Sequence, residues 1–147
     1  MLYMLGTVVI DTSPFSIDEM ERTAEASIVA KPVIGGRQPK EFTGEGEDDI
    51  VLSGQLLPYH VGGLDELETL HEMRRQGARF PVQRGDGWRP GWYGITRITE
   101  SHRELSGDGV GYLIQHQITM TRVEADQGEG QQLIIGLINL FSALTGQ

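Results

Sequence analysis

Apolar and polar residues alternate over several stretches of this chain, and the alternation predicts strands. After Gly6, Val8-Val9-Ile10 reads as a short buried strand closed by a turn at Asp11-Thr12-Ser13-Pro14. Ile50, Leu52 and Leu56 alternate with Val51, Ser53 and Gln55, which predicts a half-buried strand ending at Pro58. Phe80-Pro81-Val82 predicts another, placed at a sheet edge because proline cannot donate to a ladder. Tyr93, Ile95 and Ile98 lie in a strand that runs to Leu105, with a bulge at Thr96-Arg97. Ser106-Gly107-Asp108-Gly109 is a hairpin turn. Beyond it, Tyr112, Ile114, His116, Ile118, Met120 and Arg122 share one face of a long regular strand.

The stretch from Ser16 to Val33 carries two patterns. Ser16 and Glu19 have capping-box spacing, and Ile17, Met20, Ala24 and Ile28 recur nearly as a helix requires. Yet Ala24, Ala26, Ile28 and Ala30 alternate with Glu25, Ser27, Val29 and Lys31. The first half stays open, and the second reads as a long strand. Gly35 to Pro39 is a loop, Lys40 to Thr43 a brief strand, and Gly44-Glu45-Gly46-Glu47-Asp48 a turn.

Helical spacing is clearest from Leu64 to Gln76. Gly62-Gly63 opens this helix, Asp65 and Glu66 sit in its first turn, and Arg74 and Arg75 in its last, matching the helix dipole. Gly77 is a fitting stop. Leu64, Leu67, Leu70 and Met73 recur every third residue, so the apolar stripe drifts around the helix. The expected core is Ile50, Leu52, Leu56, Leu67, Leu70, Tyr93, Ile95, Ile98, Ile114 and Ile118. Residues 125–130 form a polar, glycine-containing linker to a helix within 131–147. Leu133, Ile134, Leu137, Ile138, Leu140, Phe141 and Leu144 make that helix apolar around most of its circumference. It docks either on its own domain or on a neighbour. The plan is α+β, mainly β, with about six to seven strands, one flanking helix and a C-terminal helix. The β domain spans 1–124.

Composition narrows the function classes. The 147 residues suffice for one core, and a charge of −9 leaves no basic footprint for nucleic-acid backbone. No cysteine is present, so no disulfide or thiolate chemistry arises. The first residues carry no basic n-region, so no secretory signal is expected. The apolar stretch near Leu133–Leu144 is too short for a membrane span, which needs roughly 20 residues.

No catalytic constellation stands out. His60, His71, His102 and His116 are scattered, and His71-Glu72 lacks the second histidine of a zinc-protease helix. Gly44 to Asp49 is acidic but fails the calcium-loop pattern, and reads as a solvated turn. Arg84-Gly85-Asp86 is a loop tip. Trp88 and Trp92 flank Pro90-Gly91, as an interface anchor or as packing of the loop on its own sheet.

One combination is more specific. The run from Glu41-Phe42-Thr43-Gly44-Glu45-Gly46-Glu47-Asp48 through Ile50 to Gly54 is followed by Leu57-Pro58, Gly62-Gly63 and a helix ending Met73-x-x-Gln76-Gly77. With the Ile95 to Glu100 entry, the Asp108-Gly109 turn and the Thr119 to Val123 exit, it resembles the phage protein U family over roughly residues 4–124. Its motif positions are Gly44, Gly46, Glu47, Asp48, Gly54, Pro58, Gly62 and Gly63. The resemblance implies a structural or assembly protein of a contractile phage tail or a phage-tail-like bacteriocin, and a tail-tube-like β-barrel or sandwich. It implies a ring, a hexamer by analogy with contractile tubes, continuing the tail tube at the baseplate or hub end. The implied partners are copies of the chain and the tail tube, hub and tape-measure proteins. The implied location is the virion or tail-like particle, assembled in the host cytoplasm. No cofactor, metal, catalytic residue, membrane or specific nucleic acid is implied. A head-proximal completion or terminator protein and a transient assembly factor are the nearer alternatives. A ligand-binding or enzymatic β-barrel is the remote one.

Overall fold

A computed structural model describes residues 1–11 and 15–125. The elements in chain order are β1 (Tyr3–Leu5), β2 (Val8–Ile10), β3 (Glu19–Ala30), β4 (Lys40–Leu56), α1 (Leu64–Gln76), β5 (Phe80–Arg84), β6 (Gly91–Leu105) and β7 (Gly111–Val123). The strands form a single antiparallel sheet in the order β2-β1-β5-β6-β7-β4-β3. The sheet is open. β2 and β3 end it on opposite sides, so the expected barrel does not form. Closure needs these two edges to pair, and a strand of 3 residues offers almost no ladder to one of 12.

Register places the apolar residues on one face. Leu56 lies opposite Ile114, Leu52 opposite Ile118 and Ile50 opposite Met120, with Ile95 beyond Met120 on β6. Leu67 and Leu70 of α1 belong to the same core. Every expected core residue is buried there except Ile98, which packs half-buried against it. Leu5, Ile10, Phe15, Phe80 and Val82 are further core residues. Each Leu, Ile or Phe so buried stabilises the fold by about 1.5–3 kcal/mol.

The drifting helix stripe has the consequence its spacing implies: Leu67 and Leu70 are buried, while Leu64 and Met73 are only partly so. Gly63 at φ 106° and Gly77 at φ 63° bound the helix, both left-handed. The Gly77 and Ala78 amides reach back to the Arg74 and Met73 carbonyls.

One open reading is decided and two local expectations change. Residues 16–18 form no helix. The Ser16 hydroxyl donates to the Gln55 carbonyl at 2.9 Å and the Asp18 amide to the Ser53 carbonyl at 2.8 Å, which starts β3 against β4. β5 is an interior strand between β1 and β6. Its Pro81 accepts from the Gly6 amide at 3.0 Å, so its missing N–H faces the point where β1 ends and no donor is needed. Gly44 to Asp48 is not a turn but part of β4, which is continuous from Lys40 to Leu56. The bulge between Ile95 and Arg97 and the 106–109 turn are as expected: the Ser106 amide donates to Val110 and the Gly109 amide to Ser106. The linker beyond residue 125 and the apolar segment bearing Leu133, Ile134, Leu137, Ile138, Leu140, Phe141 and Leu144 lie outside the described residues.

Candidate functional site

β4 outruns its neighbour. β7 pairs with it only from Asp49 to Leu56, whereas β3 follows it as far as Lys40. Residues beyond Asp49 therefore form a two-stranded arm, roughly 30 Å long at about 3.3 Å per residue. A two-stranded hairpin is marginal in water, so the arm needs a firm base.

The motif positions build that base. The register slips between Ala24 and Ala26 and between Ser27 and Ile28, and each time the extra residue is on β4. These bulges explain why the glycines read as a turn: a glycine inside a strand often marks a bulge. Gly44 holds φ 138°, a conformation side chains disfavour. A Cβ on Gly46 would lie 3.1 Å from both the Cβ and the carbonyl oxygen of Glu25. Glu47 accepts from the Thr121 hydroxyl at 3.2 Å. Asp48 is 7% exposed and takes both arms of the Arg22 guanidinium, at 3.0 and 2.7 Å. The hydrogen bonds from Arg22 hold the Asp48 carboxyl below its usual range and outweigh the opposing effect of burial. The buried Tyr93 hydroxyl has its pKa raised, by burial first and then by the Asp48 charge. Arg122 reaches Glu45 at 3.1 Å from β7.

Trp88 lies in this base. Arg22 stands 5.1 Å and Arg84 4.6 Å from its ring centroid, and Arg84 is fixed by both oxygens of Asp86. The indole thus packs on its own sheet. Trp92 opposes Pro81 and Val123 in the ladder, partly exposed.

The remaining motif residues fix the other end of β4. A Cβ on Gly54 would lie 2.7 Å from the Ile17 Cα and closer still to the Ser16 carbonyl oxygen. That close approach lets segment 15–17 cross the sheet. His116, opposite Gly54, holds Ser16: its Nε2–H donates to the Ser16 carbonyl at 2.9 Å while its ring meets Phe15 at 4.5 Å. Burial lowers the His116 pKa, which favours the neutral ring. Pro58 follows the end of β4, and the Leu57 carbonyl accepts from the amides of His60, Val61 and Gly62. Gly62 at φ 82° and Gly63 turn the chain into α1.

The histidines are not all scattered. His71 of α1 and His102 of β6 meet Glu100, at 3.1 and 3.2 Å. The Gly111 amide donates to the His102 Nδ1, so the His102 Nε2 carries the proton that Glu100 accepts. Burial alone would raise Glu100, and these hydrogen bonds lower it. The trio ties helix to sheet. No group of three or more possible metal ligands occurs among the described residues. The face away from the core carries a shallow hollow of about 380 Å³. Ser53, Gln55, Thr99, Ser101, Gln115 and Gln117 line it, a wettable surface of hydroxyls and amides.

The described geometry is thus an ion-paired base beneath a two-stranded arm that overhangs the sheet. The family model Phage P2 GpU matches residues 6–125, and the chain belongs to that family of phage-tail-related structural proteins. No curated protein sequence matches it. Among solved structures, the chain resembles one from the tail of an empty GTA particle with C6 symmetry, at 18% identity and TM-score 0.42, covering 73% of this chain and 75% of that one. It also resembles one from the virion of a native gene transfer agent particle, at 21% identity and TM-score 0.42, covering 73% and 78%.

The arm base was legible as a motif but not as an ion pair. Arg22 lies 26 positions from Asp48, in the stretch where two patterns competed, and nothing local couples them.

Proposed function

We propose that the chain is a ring component of a contractile phage tail or phage-tail-like bacteriocin, continuing the tail tube at the baseplate or hub end. Family membership over residues 6–125 carries this reading. The ring is a hexamer, the symmetry implied by analogy with contractile tubes. Its partners are copies of the chain and the tail tube, hub and tape-measure proteins, and it resides in the particle after assembly in the host cytoplasm. An open sheet with an overhanging arm supplies what a ring requires, an unpaired surface facing outward from each copy. The acidic balance of −9 suits a passage for nucleic acid, because a basic lumen would hold phosphates. The segment 131–144 acts as an inter-subunit or partner contact, since a sequence expected to be apolar on nearly every side needs burial. Protein analysis of intact purified particles tests the reading. A ring component is retained in every particle. A transient assembly factor, needed for tails but missing from them, is the result that overturns it.

A further inference from the structure

Apart from Met1 and Val9 at the β1–β2 edge, the exposed large apolar side chains among the described residues fall into two groups at opposite ends of β4. On the arm, Ile28, Val33, Ile34 and Phe42 are 57%, 48%, 103% and 65% exposed. At the other end lie Leu57, Tyr59, Leu105 and Tyr112, exposed by 41%, 46%, 64% and 47%. Register fixes the separation. Lys40 opens β4 at the arm, while Leu56 at its far end pairs with Ile114, next to the 105–111 hairpin end. The full strand of 17 residues spans roughly 55 Å, so neither group can cover the other within one molecule.

Charge differs between the two ends in the complementary sense. The arm tip, residues 31–40, holds Lys31, Arg37 and Lys40 and no acidic residue, in a chain of net charge −9. Lys31 is matched by Glu41 at 2.8 Å. The far end carries Glu104 and Asp108 beside one cation, Arg103, and so keeps a net negative charge. Asp108 is held at a pKa of about 2, first by the Ser106 hydroxyl and then by Tyr59, and so stays charged. The Tyr59 and Tyr112 rings meet there at 4.9 Å, tilted by 46°, with the Tyr59 hydroxyl on Asp108. Glu104, at φ 55°, is the one non-glycine residue with positive φ among the described residues, a conformation retained only where its surroundings enforce it.

We infer that the arm tip docks on the Tyr59–Tyr112 end of a second copy of this chain, apolar on apolar and basic on acidic. The two surfaces differ, so the contact is heterologous: each copy gives an arm and receives one. Such contacts propagate into a ring or a filament. This deepens the ring reading by naming the contact and rests on it for the closure.

Cross-linking tests it cleanly, because the parent chain has no cysteine to react. Ile34→Cys and Leu105→Cys are made in separate chains, both at exposed positions that leave the core intact. The two are mixed at high concentration and treated with a short bis-maleimide. The expected product is a dimer of unlike chains, severalfold above what either variant gives alone. Adding Arg37→Glu to the arm variant should reduce that yield, and added salt should do the same. Equal cross-linking by the Ile34→Cys chain alone would mean arms meet arms and overturns the proposal. No product from the mixture, with both variants melting like the parent, overturns it as well. The ring reading fails separately, if the chain is missing from intact particles. A chain present in particles whose mixture does not cross-link sinks this contact alone.

Discussion

Gly54 is the position where one added methyl group tests most of the packing argument. Its ideal Cβ would lie 2.7 Å from the Ile17 Cα and 3.1 Å from the His116 Nε2, besides its clash with the Ser16 carbonyl. Two of these neighbours are backbone and cannot swing aside. Segment 15–17 must lift, and overpacking of that kind costs about 1–3 kcal/mol. Lifting it also breaks the His116 to Ser16 hydrogen bond, worth about 0.5–1.5 kcal/mol, and loosens Phe15 in the core. Gly54→Ala should therefore destabilise the protein by about 2–4 kcal/mol. At about 2–4 °C per kcal/mol for a chain of this size, thermal melting should fall by roughly 5–15 °C. Gly36→Ala is the control, with no atom within 4 Å of its Cβ, and should change stability by less than about 1 kcal/mol. Calorimetry on the three proteins decides the matter. If Gly54→Ala melts with the parent, the crossing of segment 15–17 is misplaced and the reasoning fails.

Further outcomes follow from the same geometry. Leu70→Ala and Ile114→Ala, both fully buried, should each cost about 2–5 kcal/mol by urea denaturation, and parental midpoints would contradict the face assignment. Asp48→Ala leaves Arg22 without its carboxylate and should cost about 1.5–3 kcal/mol. Amide exchange should then rise from residue 40 to 47, and unchanged protection there would remove the pair from the arm's support. The pH dependence has a definite sign. The folded His116 pKa lies below its ordinary 6.5, so just under 6.5 the unfolded chain binds a proton that the folded chain does not. His116 should thus cost no stability above about 6.5 and a growing amount as pH falls from there to its folded pKa. His116→Gln should flatten that slope in urea midpoints taken across the window, and an unaltered slope would count against the buried neutral ring. A chain stopped after Asp126 should fold yet fail to enter tails, whereas loss of folding would assign the apolar segment to the core.

The regular half of the fold was readable because its signals are local. The 106–109 turn, the Ile95 to Arg97 bulge and the glycine-bounded helix each depend on neighbours in sequence. Long-range pairing was not readable. Pro81 argued for an edge, and only the ending of β1 beside it shows why an interior strand tolerates it. The glycines at 44 and 46 signal a departure from regular strand, and sequence alone does not separate a bulge from a turn. What separates them is Ala24 to Ala30 running alongside, a pairing set by residues about twenty positions away. Of the candidate site, the acidic and glycine positions were legible and their partners were not. Arg22, Phe15 and His116 acquire their roles only when β3 and β7 flank β4.

The position of the chain's copies in an intact tail decides between a hub-end ring and its alternatives. Symmetry-averaged electron imaging of purified particles carrying a tagged chain measures this directly. The account predicts a six-membered ring at the hub end of the tail tube, with each arm resting on an adjacent copy. Tagged density at the head-proximal end of the tube, or no density in particles that are otherwise complete, would contradict it.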